Sequence, residues 1–130
     1  MNAQLPPFRF DHLHVRARDP DAAGRFFVEA LGGEQRSRVE AEGRLRVTVV
    51  VAGVPLFIDR VGPDDPAAPD APYAGLEHIG FSTDDLDGTI ATLEARGVEM
   101  LVRPHAINPT TRIAFVRGPE LMRIEFLQRG

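Results

Sequence analysis

Apolar and polar residues alternate from Phe10 to Arg18, a period of two that predicts a strand. Asp19-Pro20 then supplies an N-cap and a first helical position. Ala22, Ala23, Phe26, Phe27, Ala30 and Leu31 follow at helical spacing, and Gly32-Gly33 stops the helix. Strands are expected at Glu34–Ala41, Arg44–Val51 and Val54–Val61, with Ala52-Gly53 as a tight hairpin turn. The pattern then repeats. Leu76–Thr83 alternates, Asp85 caps, and Leu86, Ile90 and Leu93 mark a buried helix face that Gly97 ends. Strands are expected near Val98–Arg103, Thr111–Arg117 and Met122–Gln128.

A shift of 66 residues lays one half on the other. "FDHLHVRARDPD" falls on "LEHIGFSTDDLD", so His12 meets His78, Asp19 meets Asp85 and Asp21 meets Asp87, with an acidic residue before each histidine. Val47, Val49 and Val50 fall on Ile113, Phe115 and Val116. Each half therefore reads as strand, helix and three strands. Between them lies "GPDDPAAPDAPYAG", whose four prolines suit an extended linker. The expected organisation is one domain over 1–130, with a first module over 8–61, a linker over 62–74 and a second module over 75–130.

Side-chain parity sorts the strand faces. Leu13, Val15 and Ala17 share one face of the first strand, and Phe10, His12, His14 and Arg16 share the other. Ile79, Phe81 and Thr83 oppose Leu76, His78, Gly80 and Ser82. The more apolar sets should pack on the helices. By the same rule Val47, Val49, Val51, Val54, Leu56 and Ile58 face the helix, leaving Thr48, Val50, Phe57 and Asp59 on the histidine side. In the last strand Ile124 and Phe126 are core, and Glu125 and Leu127 look the other way. A carboxylate in that apolar strand needs a partner. Two imidazoles and a metal ion would supply one.

Bulk properties narrow the classes. The 130 residues carry 43% apolar and 26% charged side chains, as in an ordinary globular domain. A net charge of −4 lacks the basic footprint of a nucleic-acid binder. No apolar run reaches the length of a membrane span. "MNAQLPPFRF" does not read as a leader, so a cytoplasmic location is the default expectation. Without cysteine, any metal must take nitrogen and oxygen ligands.

"DHLHVRARDPDAAGRFFVEALGG", "GLEHIGFSTDDLDGTIATLEARGV" and "RIAFVRGPELMRIEFLQ" together resemble the vicinal oxygen chelate superfamily, the glyoxalase / bleomycin-resistance / dioxygenase group. The resemblance implies an α+β fold of two tandem βαβββ modules whose mixed sheets curl into a cup. It implies a divalent metal (Fe, Zn, Ni, Co or Mn) held by His12, His78 and Glu125, a small-molecule substrate chelated through two oxygens, and a homodimer. The family's fourth strand often gives a further Glu or Gln. Here hairpin pairing puts Phe57 there, opposite Thr48 as Glu125 would lie opposite Ala114, whereas the gap-free shift gives Asp59. Asp59 stays open as a ligand and, with Glu125, as a catalytic base. His14, Phe57, Arg16 and His105 are candidate substrate contacts; Arg46 and Arg123 share cup-side parity, and His105 and Asn108 sit in a loop, "RPHAINPTTR". A two-histidine, one-carboxylate set leaves coordination positions open for chemistry. Three functions compete: a glyoxalase-like isomerase or lyase, an Fe(II) extradiol-type dioxygenase, and a metal-free drug-binding resistance protein.

Overall fold

A computed structural model describes residues 4–130; residues 1–3, part of the segment expected not to be a leader, lie outside the described residues. The order is β1 (Leu13–Ala17), α1 (Pro20–Arg25) continued by a π-helical turn (Phe26–Ala30), β2 (Glu34–Ala41), β3 (Arg44–Val51) and β4 (Val54–Arg60). The second half runs β5 (His78–Ser82), α2 (Leu86–Ala95), β6 (Met100–Asn108), β7 (Thr111–Arg117), a 3-10 turn (Pro119–Leu121) and β8 (Arg123–Arg129). The strands form two four-stranded mixed sheets, ordered β1-β4-β3-β2 and β5-β8-β7-β6. In each, the first strand runs parallel to the last and the hairpins are antiparallel. This is the tandem βαβββ architecture.

The local signals act as the sequence suggests. Asp19 accepts from Ala22 N at 3.0 Å and Asp85 accepts from Gly88 N at 2.9 Å, each satisfying an amide at a helix start. Ala52 and Gly53 both take positive φ, 48° and 80°, as a two-residue hairpin turn requires. Val47, Val49, Ile58, Ala114, Val116 and Ile124 are fully buried on the helix side. Removing each Val or Ile side chain from water stabilises the fold by roughly 1.5–3 kcal/mol. Gly24 lets α1 lie close on the sheet, since a Cβ there would meet Val47 Cγ1 at 2.9 Å. Buried residues of both modules form one apolar cluster, all from the helix sides of the sheets. Arg96 Nη1 donates to Ala30 O across the junction at 2.8 Å, and Arg18 reaches Glu120.

Three expectations change. The first strand begins at Leu13, so His12 immediately precedes the ladder, while His78 opens β5. β6 continues to Asn108, so His105 and Asn108 stand in a strand, His105 paired with Ile113, and the turn is confined to Pro109-Thr110. Glu125 pairs with Phe115, because Ala114 pairs with Phe126. The 66-residue repeat therefore slips. His14 and Gly80, first-strand counterparts 66 apart, pair with Phe57 and Glu125, which are 68 apart. Thr48 and Phe115, the partners of those two in the hairpins, are 67 apart. One of the two extra residues falls between β5 and β7, and the other in the longer β7–β8 connection through Pro119–Leu121. Val47 and Val49 thus correspond to Ala114 and Val116, all buried, rather than to Ile113 and Phe115.

Candidate functional site

Each module presents a histidine whose Nδ1 is held by the residue before it. His12 Nδ1 lies 2.6 Å from Asp11 Oδ2, and His78 Nδ1 lies 2.7 Å from Glu77 Oε1. An ionised carboxylate only accepts, so Nδ1 carries a proton, which in the neutral ring leaves the lone pair on Nε2. Carboxylate-held imidazoles of this kind are the usual form of a histidine metal ligand.

Around those rings the modules diverge. His78 Nε2 lies 3.4 Å from Glu125 Oε1, and the ring meets Phe115 edge-on at 5.1 Å. Gly80 makes room, since a Cβ there would come within 3.2 Å of Glu125 Oε1. Arg123 donates to both oxygens of Glu77 at 3.1 and 2.9 Å and lies 4.3 Å over Phe115. The His78 hydrogen bond, with Arg123 adding to it, holds the Glu77 carboxyl below its ordinary pKa.

In the first module His12 stacks on Phe57 with centroids 3.9 Å apart and planes inclined 18°. Its Nε2 has no polar partner among the described residues. Phe57 fills the place that Glu125 takes beside His78, as the hairpin pairing foresaw. Asp59 lies one pleat further, opposite Arg16. Arg46 donates to it through Nε and Nη2 at 2.8 and 2.9 Å, and His14 Nε2 lies 2.9 Å from its Oδ2. The Arg46 hydrogen bonds first, then His14, lower the Asp59 pKa. Its oxygens are already engaged by Arg46 and His14, so a ligand or base role for Asp59 would first have to break those contacts. Arg46 also lies 4.7 Å over Phe57.

The sequence leaves open whether His12, His78 and Glu125 meet within one chain or across two, and within this chain they do not form a ligand group. Among the described residues no three His, Asp or Glu side chains form a metal-holding group. The polar and aromatic partners of His12 and His14 all belong to the first module, and those of His78 and Glu125 all belong to the second. The physical reason is the shared core: the modules join through their helix sides, which leaves each histidine face uncovered. Phe10 and Leu76, which precede the two histidines on those faces, are 64% and 80% exposed.

Of the other candidates, Arg16 pairs with Asp65 of the linker at 2.7 Å, and His105 is exposed with Nδ1 on Arg103 O at 3.0 Å. Asp11 and Glu77 were legible as the acidic residue repeated before each histidine, but their role was not. Phe115 was missed because a gap-free repeat put it on the helix side.

The donor set partly suits a divalent ion. His78 and Glu125 offer an imidazole nitrogen and a carboxylate oxygen at about the separation that two ligands near 2.0–2.2 Å from one ion adopt. A third donor is absent from their module.

Comparisons agree with the architecture. A family model for the Glyoxalase/Bleomycin resistance protein/Dioxygenase superfamily matches residues 9–126. The chain is 28% identical over 125 residues to the uncharacterized protein YaeR of Escherichia coli (strain K12), covering 91% of this chain and 94% of that one. A glyoxalase family protein from Enterococcus faecalis superposes with a TM-score of 0.78 at 23% identity, covering 92% of this chain and 96% of the other. The fosfomycin resistance protein FosX from Listeria monocytogenes superposes with a TM-score of 0.72 at 14% identity, covering 96% of each chain. With two βαβββ modules in place and the match spanning nearly all of both, the chain belongs to the glyoxalase/bleomycin resistance protein/dioxygenase superfamily.

Proposed function

We propose that this chain is a divalent-metal-dependent, glyoxalase-like enzyme of the isomerase or lyase type. Its substrate is a small metabolite with two neighbouring oxygens. Two copies of the chain complete each site, with His78 and Glu125 from one and His12 from a second. The observation that carries the reading is the half-site in which His78 Nε2 and Glu125 Oε1 stand 3.4 Å apart while Glu77 holds Nδ1. The matching Asp11–His12 pair, with Nε2 unpartnered, supports His12 as the third donor.

A divalent ion held there would withdraw electron density from the two substrate oxygens and lower the cost of negative charge on them. The protein supplies the rest. Asp11 and Glu77 fix the tautomer and orientation of the imidazoles. Glu125 has no arginine partner among the described residues, and its Oε2 is free to take a proton from a carbon next to a chelated oxygen. Asp59, neutralised by Arg46, positions His14 against substrate and does not act as the base. Phe57, Phe115 and Leu127 give the apolar walls that keep water from the reacting carbon.

A second reading, an Fe(II) dioxygenase, is favoured by Phe57, which leaves a two-histidine, one-carboxylate set with several open positions. Elemental analysis of the full chain after reconstitution with Fe, Zn, Ni, Co or Mn tests both readings. About one ion per chain is expected, falling below a tenth of that in His78→Ala; no retained ion with any of the five overturns them. Substrate-dependent proton exchange with deuterated water supports the isomerase reading, and oxygen uptake on catechols supports the dioxygenase.

A further inference from the structure

We propose that the cleft at the C-terminal ends of β1 and β4 binds a compact polyanion, a phosphate ester or a small di- or tricarboxylate. The cleft encloses about 570 Å³ between those strand ends, the linker that follows β4, and Glu120 of the second module. Three guanidinium groups line it, Arg16, Arg18 and Arg60.

The fold does not require these arginines. The second module builds the same strand ends from Ser82, Asp84 and Gln128, the counterparts of Arg16, Arg18 and Arg60. Gln128 serves the helix there, its Oε1 accepting from Leu86 N at 2.8 Å. Nor are the arginines used up by their neighbours. Arg38, Arg46 and Arg112 each grip one carboxylate through two nitrogens. In the cleft Arg16 Nη2 stands 2.7 Å from Asp65 Oδ2 as an ion pair, and the Arg18 guanidinium donates to Glu120 through Nη1 at 2.5 Å. The Arg60 guanidinium makes no hydrogen bond and no ion pair among the described residues, although its charge reaches Asp21. Most of the N–H donors of the three forks remain open, and such forks suit carboxylate and phosphate alike.

One of these strand ends already receives a carboxylate. Glu120 Oε2 accepts from Arg18 N at 3.0 Å while Glu120 and Leu121 hold φ of 55° and 61°, a left-handed backbone that non-glycine residues seldom adopt. The turn after β7 is thus held in a disfavoured conformation with an anionic group on Arg18.

Calorimetric titration of the full chain at low ionic strength tests this proposal, with inorganic pyrophosphate in one arm and citrate in the other. Saturable binding at one site per chain is expected in at least one arm, and the arm that binds more tightly tells phosphate from carboxylate. Arg60→Gln should weaken it at least tenfold, Arg60→Lys less so, and Arg103→Gln, at an exposed pair elsewhere, not at all. His78→Ala should bind unchanged, because the cleft is independent of the candidate metal centre. Binding in neither arm, or equal binding by Arg60→Gln, overturns the proposal.

Discussion

Beside His12 the fourth strand places Phe57, whereas beside His78 the eighth places Glu125. The surrounding devices are otherwise shared: a carboxylate on each Nδ1, an arginine over each neighbouring phenylalanine, a capped helix behind. One half thus offers two donors, and the other offers one donor against an aromatic wall. The halves are complementary rather than equivalent. In the proposed site one half of each kind would meet around the ion, since among the described residues of one chain no three such side chains come together.

The strongest way to break this comparison is to mix variants. His12→Ala and His78→Ala should each retain less than a tenth of the metal of the unaltered protein. Co-refolded in equal amounts, they should recover about a quarter of the sites, the share expected when half the two-fold dimers pair unlike chains and each has one intact site. Elemental analysis reads this directly, and no recovery would place the whole site within one chain. Phe57→Glu sharpens the comparison by making the halves alike. It should slow loss of the ion to a chelator by on the order of tenfold, as an added ligand would. Competition kinetics with a chromogenic chelator measures it, and unchanged kinetics would show that position 57 does not reach the ion.

The smallest effect concerns Asp59. Its folded-state pKa is depressed by Arg46 and His14, so its contribution to stability is present above the unfolded carboxylate range. That contribution fades as pH falls from about 4 through its lower folded value. The pair is largely at the surface, so Asp59→Asn should cost less than about 1 kcal/mol at pH 7, and less still near pH 3. Urea unfolding at the two pH values checks the sign.

The scaffold was legible because its signals are local. Asp19 and Asp85 cap as read, Ala52-Gly53 turns as read, and the alternation of Val47, Val49 and Val51 gives the buried face. Of the candidate site, part of the geometry was legible. Parity put Glu125 and His78 on one face, and they meet. What stayed illegible is non-local. No period of two or of 3.6 tells which sides of two sheets will share a core, and that choice separates His12 from Glu125. The register was half legible: Phe57 opposite Thr48 followed from a two-residue turn, but Phe115 opposite Glu125 depends on a longer connection with two left-handed residues.

The slipped spacing bears on any attempt to build a fully symmetric chain from this one. Grafting the second module's motif at a constant interval would set the copied carboxylate at position 59, two residues along the strand from its proper neighbour. That is a displacement of roughly 7 Å, about twice the span over which an imidazole and a carboxylate can grip the same cation. A working symmetric chimera would have to carry over the Pro119–Leu121 connection along with the ligands.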